Sequence, residues 1–230
     1  MSIIGPSAHF IAANGVLIYN EDVGVHIIKG SLMSLKKAGK KVVIRPYHLS
    51  DYQSWKTAYL FIKDKKRNNW DISPRKESEL ALSEFKKLLK LQNKNREDDY
   101  FYDFGIFLKD GTLVGGVSLM DISRQVFQNA YLGYRVFNNH WGMGYGKEAV
   151  GLAIQMAFKT LKLHRVEAGI DPGNKRSQAL ARSLKMRRES LSKKRIFLGE
   201  KWLDLELYVM TSEDYGIKWK PGKKKIAHRF

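Results

Sequence analysis

Between Ala130 and Val150 the chain reads AYLGYRVFNNHWGMGYGKEAV, a strand-like run followed by a glycine-rich turn that opens a helix. Gly142, Gly144 and Gly146 leave out Cβ atoms where backbone N–H groups must approach a ligand. A helix starting near Lys147 turns the positive end of its dipole to the same place. Phosphate chemistry suits this arrangement. Each backbone hydrogen bond to a charged oxygen contributes roughly 1.5–3 kcal/mol, so a few converging amides hold a diphosphate without a basic side chain.

Spacing rules out two well-known phosphate loops. A Walker loop needs Gly, four residues, then Gly-Lys-Ser/Thr; here Glu148 follows Gly146-Lys147, and Trp141 stands where the first glycine belongs. A dinucleotide fingerprint needs Gly-x-Gly-x-x-Gly, but counting on from Gly142 and Gly144 reaches Lys147.

The elements that must position this loop follow from periodicity. Val42 to Arg45 reads as a strand stopped by Pro46, and Ser50-Asp51 can cap a helix carrying Tyr52, Trp55, Ala58, Tyr59 and Phe61. A second helix is expected over about Ser78 to Leu91, and strands over Tyr102 to Leu108 and Thr112 to Asp121 around an Asp110-Gly111 hairpin turn. After the strand Ala130 to Phe137, Val150, Ala153, Ile154, Ala157, Phe158 and Leu161 form one helical stripe. His164 to Ile170 reads as a strand, and Asn174 can cap a helix from Lys175 to Leu184. Strands Arg195 to Gly199 and Trp202 to Met210 complete the order β-α-α-β-β-β-α-β-α-β-β.

Composition restricts the chemistry. The 230 residues have the apolar and charged content of a soluble globular protein. With no cysteine there is neither a disulfide framework nor a thiol nucleophile, and no His/Asp/Glu cluster has metal-ligand spacing. The apolar runs of the first residues lack a basic leader and are broken by Pro6, Asn14 and Gly15, which reads as a cytoplasmic protein with no membrane partner. The formal net charge of +18 biases encounters toward polyanions. Two uses of it stay open: a solvated surface, and contact with RNA or the ribosome.

The element order, with Trp141, Gly144 and Gly146 matching Gln/Arg-x-x-Gly-x-Gly/Ala, resembles the GNAT acetyltransferase superfamily. Ala130 to Tyr134, Glu148-Ala149, His164-Arg165, Asn174 to Ser177 and Gly199-x-x-Trp202-x-Asp204 resemble its RimJ/RimL branch, RimJ most closely, over about residues 42 to 215. The resemblance implies an α+β fold: a central mixed, mostly antiparallel sheet splayed between its fourth and fifth strands, with flanking helices. Residues 41–215 would form the N-acetyltransferase domain, between an N-terminal extension (1–40) and a basic tail (216–230). Acetyl-CoA would be the acetyl donor. Its pantetheine arm would lie along the fourth strand on the backbone of Arg135, Val136 and Phe137, and its diphosphate on the loop of Trp141, Gly142, Met143, Gly144, Tyr145, Gly146 and Lys147. Asn174 would bond the pantetheine arm, and Ser177 would protonate the leaving thiolate. Trp70, Tyr134, Asp204 and Tyr208 would lie toward the amine, Asp204 as a candidate base beside its rivals Glu167 and Glu206. Each of these residues also has a purely structural use, as cap, core or lid.

Two departures from the family pattern stand out. Lys175 to Met186 holds no tyrosine to serve as general acid, and the family's Leu-Gly-Phe after that helix is Leu184-Lys185-Met186. No strong base is evident either. Keeping a peptide α-amine neutral at pH 7 costs about 1 kcal/mol, against about 4.6 kcal/mol for a lysine, so the α-amine is the easier acceptor. The expectation is an acetyl-CoA-dependent N-acetyltransferase acting on a protein N-terminus, with ribosomal proteins among the candidates. A polyamine or aminoglycoside acetyltransferase and a non-catalytic coenzyme A- or ribosome-binding module are the alternatives.

Overall fold

The computed structural model describes residues 35–63 and 70–220. Among them the strands are β1 (Lys37–Ala38), β2 (Val42–Arg45), β3 (Tyr102–Leu108), β4 (Leu113–Ser123), β5 (Asn129–Val136), β6 (Arg165–Ile170), β7 (Arg187–Leu198) and β8 (Lys201–Thr211). The α-helices are α1 (Tyr52–Leu60), α2 (Leu82–Glu97), α3 (Tyr145–Gln155) and α4 (Lys175–Ser183). The strands form one sheet in the order β1-β2-β3-β4-β5-β6-β8-β7. Every neighbouring pair is antiparallel except β5 and β6.

Strand alternation sends apolar side chains to both faces. On one face Val42, Ile44, Phe104, Ile106, Val117, Leu132, Val166 and Ala168 pack against Val150, Ala153 and Ile154 of α3 and Ala181 of α4. On the other, Phe107, Leu113 and Phe137 pack against Trp55 of α1 and Phe85 of α2. The ion pair of Arg45 with Asp51, at 2.6 Å, joins the end of β2 to the turn before α1. Asp51 therefore does not cap α1. Its carboxylate also accepts the His48 N–H (2.7 Å), closing the short 3-10 turn Leu49–Asp51.

Boundaries shift in physically readable ways. The second helix runs over Leu82–Glu97, preceded by a 3-10 turn at Glu77–Leu80, and the helical stripe after the glycine loop ends in a π turn at Met156–Thr160. Strand β7 begins at Arg187, where the sequence suggested 195. The sheet takes in β1, ahead of the expected domain start at 41. At the other end Tyr215 and Ile217 pack on the core, and Trp219 Nε1 donates to the Lys162 carbonyl, so the chain stays on the folded body as far as Trp219. Most of the expected N-terminal extension, residues 1–34, and the rest of the tail lie outside the described residues. At the end of α4, Lys185 adopts the left-handed φ of +65° that glycine would take, and Met186 N–H closes onto the Ala181 carbonyl. The corner keeps its left-handed shape with a lysine in it.

Among the described residues no helix is long and apolar enough to cross a membrane, and no group of His, Cys, Asp and Glu could hold a metal ion.

Candidate active site

Parallel pairing of β5 with β6 stops after Asn129↔Arg165, Ala130↔Val166 and Tyr131↔Glu167. Beyond Tyr131 the strands part, because β6 continues along β8 while β5 stays on β4. The result is a wedge with one edge of β5 open, and the ladder decides which groups face it. Phe137 N–H donates to Val114 O, and Val136 is the Cα partner of Gly115. Since a residue's N–H and C=O point to one side and alternate along the strand, Arg135 and Phe137 face β4 whereas Leu132, Tyr134 and Val136 face the wedge. The placement of a pantetheine arm on the backbone of Arg135 and Phe137 is corrected accordingly. Phe137 is further excluded, since its carbonyl accepts the His140 N–H and its side chain is buried beside α1. Only Val136 of the three faces the wedge, and its carbonyl accepts the Trp141 indole N–H at 2.8 Å.

The chain leaves β5 through a 3-10 turn (Asn138–His140) and enters the loop. Gly142 and Gly144 have φ of +85° and +81°, and Gly144 is the N-cap of α3, which starts at Tyr145, two residues earlier than the sequence suggested. A side chain at either position would be strained. Gly146 is a glycine for another reason: a Cβ there would lie 3.3 Å from both Leu180 and Val136, so it lets α3 seat closely on β5 and α4. Within the described residues no hydrogen bond uses the N–H groups from Gly142 to Lys147. Open amides at a helix N-terminus form a donor set that fits a diphosphate.

A cation from the far edge of the sheet joins this loop. Lys41, in the β1–β2 turn, donates its ammonium to the Met143 carbonyl (2.9 Å) and its backbone N–H to both Glu148 oxygens (2.9 and 3.2 Å). Sequence reading missed Lys41, which sits in a lysine-rich run that resembles solvated surface. Arg176 was also missed: its guanidinium lies 3.7 Å over the Trp141 ring and 3.6 Å from Asp71.

The helix facing the wedge carries the expected polar residues. Asn174 caps α4 by accepting the Ser177 N–H at 3.2 Å. The Ser177 carbonyl accepts from Tyr134 OH at 3.3 Å, so Tyr134 lines the wedge on the α4 side. Burial pushes the Tyr134 phenol pKa up, with the neighbouring Tyr208 acting in the same direction, which keeps Tyr134 a neutral donor. Thus Val136, Trp141, the glycine loop, Tyr134, Asn174 and Ser177 converge on the open end of β5.

Other expected residues do not join them. Tyr208 is buried, accepting from Arg182 (3.1 Å) and donating to Glu206 (3.2 Å), so it lies in the core and not on an acceptor surface. Asp204 accepts the backbone N–H of Lys194 at 2.8 Å, an occupation different from that of a base. Glu206 pairs with Arg188 at 3.2 Å and Glu167 with Arg165 at 2.5 Å. Trp70 is different: half-buried, it directly precedes Asp71, the carboxylate near Arg176 beside Trp141.

Comparison with known proteins gives the arrangement a setting. The model described as "Acetyltransferase (GNAT) domain" matches residues 41–187. The chain is similar to the probable N-acetyltransferase YjcK of Bacillus subtilis, 37% identical over 119 residues, covering 51% of this chain and 66% of that protein, just short of two thirds of its length. It is similar to the [ribosomal protein uS5]-alanine N-acetyltransferase of Escherichia coli, 28% identical over 185 residues, covering 80% of this chain and 92% of that one. Among solved structures, Mycobacterium smegmatis RimJ in complex with CoA-disulfide superposes with a TM-score of 0.67 at 23% identity, covering 75% of this chain and 83% of that one, a likeness of fold.

Proposed function

Because this chain belongs to the GNAT acetyltransferase family, we propose that it transfers acetyl from acetyl-CoA to the α-amine of a protein N-terminus, a ribosomal protein being the leading candidate acceptor. The observation that carries the reading is the run of uncommitted N–H groups from Gly142 to Lys147, at the mouth of the wedge between β5 and β6. When bound, acetyl-CoA supplies a thioester whose carbonyl an amine can attack directly.

The residues divide the work by position. The loop amides, the α3 dipole and Lys41 hold the diphosphate, and the wedge-facing backbone of Leu132, Tyr134 and Val136 orients the pantetheine arm. The Ser177 hydroxyl gives a proton to the departing thiolate, with Tyr134 held beside it by donation to the Ser177 carbonyl. The choice of acceptor rests on titration. Asp204, Glu206 and Glu167 are all engaged by N–H groups or cations, so a strong base for a lysine is lacking among them, while an α-amine loses its proton at a cost of only about 1 kcal/mol. The similarity to the uS5-alanine N-acetyltransferase supports the same choice.

The test is thiol release from acetyl-CoA with a peptide bearing a free alanine N-terminus, set against the same lysine-containing peptide with its terminus blocked. Release with the free terminus alone supports the proposal. Equal release with both makes the enzyme a lysine acetyltransferase, and release with neither sends the search to small amines.

A further inference from the structure

Strand β7 is one edge of the sheet, and most of its residues are exposed. In its middle the ladder breaks. Ser192 pairs with Leu205 and Ile196 with Leu203, so Lys193, Lys194 and Arg195 together face the single residue Asp204. They form a bulge that turns consecutive basic side chains outward. The bulge is held in place: Lys194 adopts a φ of +47°, a conformation that costs a non-glycine residue about 1 kcal/mol, and its N–H is bound by Asp204 at 2.8 Å. Arg195 reaches back to Tyr131 OH at 2.9 Å, while Lys193 and Lys194 have no carboxylate partner among the described residues. At the hairpin tip the cross-strand pair Phe197 and Trp202 is 55% and 59% exposed, with ring centroids 5.6 Å apart.

We propose that this β7–β8 hairpin is a binding surface for single-stranded RNA, in which the bulge Lys193–Arg195 takes phosphates and Phe197 and Trp202 stack on bases. Cations aligned beside exposed aromatic rings match the two chemistries of a single strand, its charged backbone and its unstacked bases. The net charge of +18 draws such a strand in. A second copy of the chain fits poorly, because edge-to-edge pairing would bring the same lysines face to face. Asp204 acquires a role here as the positioning residue of the bulge.

The experiment is anisotropy titration of the full chain with a labelled oligouridylate of about twelve nucleotides, over a series of salt concentrations and without acetyl-CoA, so its outcome is separate from that of acetyl transfer. Binding should weaken about tenfold in Trp202→Ala with the salt slope unchanged. In Lys193→Ala/Lys194→Ala the slope should fall by about 1.4, the value for two phosphate contacts on a single strand. Asp204→Ala discriminates most sharply. It makes the protein more positive, so diffuse attraction predicts tighter binding, whereas loss of the bulge predicts weaker binding at every salt concentration. Circular dichroism checks that each variant folds. The proposal is overturned by no binding at low salt, by tighter binding of Asp204→Ala, or by variants that bind RNA like the parent. It is also overturned if Trp202→Ala splits an oligomer in light scattering while leaving RNA affinity intact.

Discussion

Lys41→Met tests whether the far edge of the sheet takes part in coenzyme binding. The substitution keeps the backbone N–H that Glu148 holds, so the β1–β2 turn stays docked on α3 while its cation is removed from the loop. Two unit charges about 4 Å apart interact by about 1 kcal/mol in water and about 4 kcal/mol at an effective dielectric of 20. Lys41 is exposed, which places its contribution near the lower end, about 1–2 kcal/mol. The KM for acetyl-CoA should therefore rise roughly 5- to 30-fold with kcat nearly unchanged, because a diphosphate contact is the same in ground and transition states. The assay pairs acetyl-CoA with acetyl-pantetheine, which lacks the diphosphate. With the fragment, kcat/KM should not respond to the substitution. A KM within twofold of the parent refutes the reasoning, and equal losses with both donors show that Lys41 only holds the loop's shape.

Gly144→Glu should abolish coenzyme A binding in calorimetry, since it sets a carboxylate among the phosphate-facing amides and strains a φ of +81°; retained affinity removes the loop from the site. Ser177→Ala leaves intact both backbone contacts of that residue, to Asn174 and to Tyr134, so a fall in kcat with unchanged coenzyme affinity is assignable to the hydroxyl, and full turnover excludes it as the acid. Lys185→Gly should raise stability by about 0.5–1 kcal/mol in chemical denaturation by relieving a left-handed lysine; a loss of stability contradicts that account of the corner. Burial raises the Asp103 pKa to about 6, against the lowering effect of its bond from Ser118, so its contribution to stability is fully present below pH 4 and is lost as pH rises toward 6. Asp103→Asn should then stabilise the protein at pH 7 and leave it unchanged at pH 4, and the same difference at both pH values rejects the assignment.

Features that depend on nearby residues were legible in the sequence. The glycine loop could be read because positive φ at Gly142 and Gly144 is a local demand that glycine meets, and Asn174 because a cap is satisfied three residues away, at Ser177. What depends on register or on distant chain was not legible. That Val136 faces the wedge while Arg135 and Phe137 face β4 is set by the pairing of Phe137 N–H with Val114 O, and a strand pattern reads the same for either parity. Lys41 meets Glu148 across 107 positions of sequence.

Left-handed residues other than glycine were the least readable: the family's glycine at the place of Lys185 pointed to one, and nothing pointed to Lys194. Their strain is nevertheless informative, because it persists only where neighbouring contacts impose it. At Lys185 the imposing contact is the closure of α4 through Met186 N–H and Ala181 O, an ordinary helix ending. At Lys194 it is Asp204, reaching across the hairpin to hold a bulge that serves no core packing and leaves its side chains in solvent. Apart from Arg195, which reaches Tyr131 OH, the bulge makes no contact that its strain would serve, and cations beside two exposed rings point to a polyanion with aromatic bases.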